Sequence, residues 1–382
     1  MGICYSTLKM AKKDRPEGTK ILTLPAVWLT LPERSLAFQA LFNQEEKAAL
    51  LKFRQENQKL FAKAKVMVVD LRKTEGFLGD TICDSYLTDA LIQRYPQKLI
   101  LEWSRCRELL GQHNILTDWG QEKNKIVLHF QKGPNGKTKK EAFRLGEIVK
   151  IVPRYNSTVP ASFFNQDPEK KLSFHEIPLH QLHRAQILWE VLYDIRQFKR
   201  PPHSSIGLSQ KDQKAAAKVF TKLGKTDSFN FIIHPDAHAL HFKEKSWPLS
   251  KWVLLIKSLS SFGRVFLTQG VDHPRLTQEI ASECTKKAGS FTLLPSLSLA
   301  QYAALLQCFP KKKTVLVGLE SMAGTHLAPG LGLKSVVVAA GKLFNPAIYG
   351  PFGGTVVHNE EPTAASVSVG KVVEAVQKKL RV

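Results

Sequence analysis

The sequence predicts two consecutive α/β domains of Rossmann-like type, joined by a short linker and closed by a terminal helix. Three observations predict it. Apolar runs of strand length alternate with helical spacing over residues 66–110 and again over residues 229–339. Between the two series, Pro201-Pro202-His203-Ser204-Ser205 has the composition of a linker. A chain of 382 residues is long enough to bury two cores of ordinary size.

Residues 1–62 read as an N-terminal extension, with a polar, basic opening and then a helical pattern over 32–61. Val66-Met67-Val68-Val69-Asp70-Leu71 is an apolar run of strand length, and residues 72–80, with Gly76 and Gly79, form the loop after it. Ile82, Tyr86, Leu87, Ala90 and Leu91 then share one helical face, which stops at Arg94-Tyr95-Pro96. Leu99-Ile100-Leu101 is the next strand and residues 105–110 a short helix. Strand, helix and strand at this pitch make the βαβ unit of a parallel sheet. Ile126-Val127-Leu128-His129-Phe130 and residues 141–143 flank Pro134-Asn135-Gly136 as a hairpin turn, and 180–198 is helical. The first domain therefore spans 63–203.

In the second series Ser209 caps a helix that runs to Leu223. Strand 229–234, helix 249–261, strand 264–268 and helix 275–284 follow. Helix 299–308, strand 314–317, helix 321–328 and strand 335–339 complete a second domain over 204–364. A C-terminal helix, 369–380, lies within the closing segment 365–382.

Composition narrows the function classes. The chain is 43% hydrophobic and 23% charged, the balance of a globular protein in water. No apolar run approaches the length that spans a bilayer, and the first residues lack the apolar core of a secretory leader. Cys4, Cys83, Cys106, Cys284 and Cys308 are scattered, which points to a reducing compartment and away from disulfides or zinc. Lysine and arginine number 55 against 33 acidic residues, a net charge of +22. Such an excess favours an anionic partner: nucleic acid, an anionic membrane surface or a phosphorylated glycolipid. No zinc finger, RNP-like aromatic strand or helix-turn-helix pattern accompanies it, so nucleic acid is not the expected partner.

Several patterns read as decoys. Gly136-Lys137-Thr138 ends like a phosphate loop, but Gln131 stands where that loop needs glycine. His234, His238 and His241, and likewise His175, His180 and His183, lack the partners of a zinc site and read as loop or surface histidines. Cys83 reads as helix packing. Met1-Gly2-Ile3-Cys4-Tyr5-Ser6 fits an acylation pattern at Gly2 and Cys4, which reads as coincidence because so short a pattern arises easily by chance.

What remains is a set suited to phosphate. A helix starting near Ser321, just past a strand, presents free N–H groups and a positive dipole end. Ala323 and Gly324 leave its backbone open to close approach, and Glu320 at the strand end would accept from a ribose diol or order the loop. Lys245 offers a movable cation for a diphosphate, while Trp247-Pro248 reads as packing that fixes its loop. In the first domain Asp80 sits at a loop-to-helix junction. It reads either as a helix cap or as a base for an attacking hydroxyl.

The clusters resemble the bacterial heptosyltransferases of glycosyltransferase family 9. Gly79-Asp80 and Arg94-Tyr95-Pro96 come first, then His234-Pro235 and Lys245-Ser246-Trp247-Pro248-Leu249-Ser250-Lys251-Trp252. Val317-Gly318-Leu319-Glu320-Ser321 with His326-Leu327-Ala328 follows, then Pro346, Gly350-Pro351-Phe352-Gly353 and the last helix. The resemblance covers roughly residues 66–380 and implies a GT-B architecture, two Rossmann-like domains facing across a cleft with the C-terminal helix packing back. It implies an inverting enzyme, cytoplasmic and peripheral at the inner face of the bacterial inner membrane. That enzyme would move heptose from a nucleotide-diphosphate sugar, typically ADP-heptose, to a lipopolysaccharide core or lipid A-type acceptor. No cofactor or metal is implied, and the chain has no Asp-x-Asp motif.

By the same resemblance Asp80 is the base, and Lys245, Glu320, Ser321, Gly324, Thr325 and His326 bind the donor. Arg72, Lys73, Arg105 and Arg107 are candidate contacts to the phosphorylated acceptor. The chain departs from the family where Glu320 replaces the usual Asp, Met322 a glycine, and Asp236 the glycine after His-Pro. The Glu320 to His326 spacing is one residue longer than the family's, and His234 to Lys245 about four longer. All these departures fall around the nucleotide pocket. The alternatives are a GT-B enzyme with another donor or a protein acceptor, a non-catalytic GT-B binding module, and a basic nucleic-acid-binding protein.

Overall fold

A computed structural model describes residues 20–23, 66–70, 78–97, 99–103 and 128–129, a few single positions between them, and most of 204–380. Within that last span it leaves out 205, 225–227, 236–244, 270–273, 287–289, 321–322, 340–349, 352, 360 and 362. The chain divides into two compact units, Met1–Ala26 with Gln210–Val382, and Val27–Ser209. Of the helical pattern at 32–61, positions 48, 51, 55, 58 and 59 are described and are helical, while the 134–136 hairpin turn, the helix at 180–198 and Gly2 with Cys4 lie outside the described residues.

In the second unit, β2 (Val66–Asp70) is followed by α1 (Leu78–Arg94), β3 (Leu99–Trp103) and β4 (Leu128–His129). β1 (Lys20–Thr23) belongs to the other unit. β2 lies between β3 and β4 and runs parallel to both. α1 buries Ile82, Tyr86, Leu87, Ala90 and Leu91, the face that the spacing predicts.

The first unit continues with α2 (Gln210–Leu223), β5 (Phe229–His234), α3 (Leu249–Ser260), β6 (Gly263–Leu267) and α4 (Pro274–Lys286). Then come β7 (Thr292–Leu293), α5 (Leu299–Cys308), β8 (Thr314–Leu319), α6 (Ala323–Gly330), β9 (Lys334–Ala339), β10 (Thr355–His358) and α7 (Val369–Leu380). Its sheet has the order β1-β10-β9-β8-β5-β6-β7. β5 to β10 are all parallel, and β1 closes one edge antiparallel to β10, with Lys20 opposite His358. The polar, basic opening predicted no strand there. An edge strand as short as Lys-Ile-Leu-Thr takes its order from its partner's backbone groups rather than from its own pattern.

The central strands are largely apolar and buried because helices cover both faces. Phe231, Ile233, Val315, Val317, Val336 and Val338 pack with Trp252, Ile256 and Leu259 of α3 and with Val372 and Val376 of α7. α7 thus covers the sheet of its own unit. Behind the sheet, Phe309 meets Phe266 and Phe220 edge to face, with centroids 5.1 Å apart in both pairs. β6 begins with glycine for a steric reason: a Cβ on Gly263 would stand 2.3 Å from the carbonyl oxygen of Phe229.

The segment entering α3 is clamped. Trp247 is buried, meets the Trp252 ring edge to face at 4.8 Å, and donates its indole N–H to the Val367 carbonyl at 3.0 Å. Lys251 Nζ donates to the carbonyls of Ala365 and Val367. Trp247 therefore has the packing role expected of it, and it fixes the chain two residues beyond Lys245.

Candidate active site

The order of the sheet creates a crevice position. From β5 the chain moves outward to β6 and β7, then returns to the other side of β5 to lay down β8, β9 and β10. The carboxyl ends of β5 and β8 are therefore the topological switch point, where open α/β sheets bind ligands. His234, the last residue of β5, pairs in register with Gly318 of β8. Leu319 ends β8, Glu320 follows it, and α6 starts at Ala323 with its amino end at the same edge.

Lys245 and Glu320 meet there. Lys245 Nζ is 3.1 Å from Glu320 Oε1, with the carboxylate side chain 0% exposed and the lysine side chain 17% exposed. Two residues singled out separately for the donor are thus joined in one ion pair that reaches solvent at its cationic end. Thr325 donates its hydroxyl to the carbonyl of Leu319 at 3.4 Å, tying the first turn of α6 to the end of β8. His326 is buried one residue further on.

Beside this pair stands a contact that local patterns do not announce. The Nδ1 of His234 is 3.2 Å from the hydroxyl of Tyr302 on α5, with the two rings 5.4 Å apart. A Cβ on Gly324 would lie 3.4 to 3.6 Å from the same imidazole. The open side of Gly324 therefore faces His234, which braces the first turn of α6 against β5. His234 is only partly buried as a residue. Desolvation nevertheless lowers its pKa from 6.5 to about 4, and burial pushes the Tyr302 phenol above its ordinary range. Both rings are neutral at pH 7.

This corrects the grouping of His234 with loop or surface histidines. Its neighbours come from α5 and α6, both remote in sequence, so the strand that ends in His234-Pro235 was the one available signal. His238 and His241 lie outside the described residues.

The folded chain binds fewer protons at His234 than the unfolded chain does between pH 6.5 and about 4. Stability is therefore lost as pH falls through that window and changes little above it on this account. Thermal melts from pH 7.5 to 4.5 are expected to decline less steeply for His234→Gln than for the parent chain. Parallel curves would contradict the assignment.

Asp80 lies in the first turn of α1, two residues after the helix begins at Leu78 rather than at the capping position before it. Its side chain, Ser321, Arg72, Lys73, Arg105 and Arg107 lie outside what is described.

A family model described as glycosyltransferase family 9 (heptosyltransferase) matches residues 168–338, which include β5 to β8, all of β9 but its last residue, and the Lys245–Glu320 pair. The chain is heptosyltransferase-like and carries a family 9 domain. It is a glycosyltransferase. No curated protein matches it. Among solved structures, the glycosyl transferase family 9 protein from Veillonella parvula DSM 2008 is 14% identical with a TM-score of 0.57, covering 83% of this chain and 97% of that one. E. coli heptosyltransferase WaaC with ADP is 17% identical with a TM-score of 0.50, covering 82% of this chain and all 100% of that one. At these identities the likeness is one of fold, the α/β fold of GT-B glycosyltransferases.

Proposed function

We propose that this family 9 glycosyltransferase is inverting and metal-independent, and that it moves heptose or a related sugar from a nucleotide-diphosphate donor of the ADP-heptose kind. The acceptor is a phosphorylated glycolipid of the lipopolysaccharide core or lipid A type. The observation that carries this reading is the Lys245–Glu320 pair at the switch point, beside the amino end of α6. An ammonium group and a helix amino end converging on one edge suit a diphosphate. The ADP named with the E. coli heptosyltransferase supports adenine as the base.

In the proposed reaction Asp80 takes the proton of the acceptor hydroxyl as its oxygen attacks the anomeric carbon. The bond from that carbon to the diphosphate oxygen breaks, and its electron pair leaves on the diphosphate. Displacement from the opposite face inverts the anomeric configuration. Lys245 and the α6 N–H groups hold the charge that develops on the departing diphosphate. Glu320 is longer by one methylene than the family's usual Asp and keeps the ammonium aimed at the edge.

Calorimetric titration with ADP, UDP, GDP and their sugars tests the reading. ADP and its sugars are expected to bind with Kd of about 1 µM to 1 mM, the usual range for enzyme substrates, with or without EDTA. Failure of every nucleotide diphosphate to bind would overturn it.

A further inference from the structure

The His234–Tyr302 contact does more than brace α6, because it decides which imidazole nitrogen carries the proton. Burial keeps the phenol protonated and the imidazole neutral. One group must therefore donate to the other across the 3.2 Å between Nδ1 and the hydroxyl. A phenol is the stronger acid, and an unprotonated ring nitrogen is the stronger base, so Tyr302 donates and Nδ1 accepts. With the direction reversed, the Tyr302 O–H would need a second acceptor, and none is present among the described residues. A neutral imidazole that accepts at Nδ1 carries its proton on Nε2.

What covers the ring decides where that N–H lies. Tyr302 takes the Nδ1 end, and the atoms nearest to the bare side of Gly324 are Nδ1, Cγ and Cε1. His234 is nonetheless partly exposed, and it ends β5 at the carboxyl edge of the sheet. The uncovered side of the ring is therefore that of Cδ2 and Nε2. It opens beside the amino end of α6 and the Lys245–Glu320 pair, where the diphosphate is assigned. A neutral N–H suits that place. It bonds to an anionic oxygen without setting a second full positive charge against Lys245.

We propose that His234 is a further residue in contact with the diphosphate, its Nε2–H donating to a phosphate oxygen. Tyr302 is then a positioning residue, which acts through His234 by holding that tautomer. The inference rests on the diphosphate reading above and adds a partner for the same group.

The test uses the whole chain with ADP, and with inorganic pyrophosphate so that the base plays no part. Long-range 1H–15N spectra of the histidine-labelled chain at pH 7 report the tautomer, with the His234 signals identified by their loss in His234→Gln. The parent is expected to show the Nε2–H form, with the Nε2 resonance moving as ADP is added. In calorimetry His234→Leu should bind ADP and pyrophosphate about 10- to 100-fold more weakly, the usual worth of a hydrogen bond to a charged group. His234→Gln, whose amide reaches the place of Nε2, should stay within about threefold of the parent, and His234→Asn, which reaches only that of Nδ1, should not. Tyr302→Phe keeps the ring packing and releases the tautomer, so its spectra should gain an Nδ1–H form. Its ADP affinity should fall about threefold, as the competent fraction falls.

The inference is overturned by an Nδ1–H tautomer in the parent or by an Nε2 resonance that ignores ADP, and neither result depends on how a leucine variant folds. Rescue by Asn and not by Gln also overturns it, since a merely structural contact with Tyr302 gives that pattern. If the parent binds ADP and pyrophosphate and His234→Leu binds them as tightly, only the role of His234 falls. If the parent binds neither, the diphosphate reading falls and takes this inference with it.

Discussion

Asp80→Asn is expected to lower kcat about 10³-fold while the Kd for donor stays within about twofold. The substitution keeps size and polarity but removes the group that takes the proton in the proposed step. Donor contacts are assigned to the other unit, so they should be untouched. Asp80 also sits in the first turn of α1, where a negative charge favours the helix by about 0.3–1 kcal/mol. A merely structural role therefore predicts a small drop in melting temperature and nearly normal turnover. Single-turnover kinetics beside a thermal melt separate the two. The acid limb of the pH–rate profile is a further readout, because it should disappear with the carboxylate.

The second large effect is at Lys245. Lys245→Met is expected to cut kcat/KM by about 10² to 10³, since it removes the cation assigned to the departing diphosphate. It should also cost stability, because Glu320 loses its partner at 3.1 Å while its side chain is 0% exposed. Removing one member of a buried pair costs about 3 kcal/mol or more, less here because water reaches the lysine. The double variant Lys245→Met, Glu320→Gln divides the two effects. Removing the orphaned charge should restore most of the melting temperature without restoring donor affinity. If activity returns along with stability, the pair is structural and the donor role of Lys245 is wrong.

Much of the fold could be read from local pattern where an element is long and helices cover it. β5, α5 and α7 have the ends that periodicity predicts. β8 runs on through Gly318 and Leu319, which look like a loop because of the glycine. Buried pairing with β5 and β9 keeps them in the sheet. β1, β7 and β10 escaped notice because strands of two to four residues owe their order to neighbours.

The candidate site divides along the same line. Lys245 and Glu320 stand out one at a time by resemblance, but their meeting depends on β8 lying beside β5, which strand order alone decides. Tyr302 carried no signal, since its partner His234 is 68 residues away and reaches it only across the sheet. Gly324 was read as room for a ligand. Its bare side faces the His234 imidazole, because α6 and β5 converge there.

The most direct measurement is a crystal structure of the chain with ADP bound. Diphosphate oxygens should lie about 3 Å from Lys245 Nζ and from N–H groups in the first turn of α6, at the carboxyl ends of β5 and β8. A nucleotide seated away from that edge, with Lys245 held by Glu320 alone, would contradict the account.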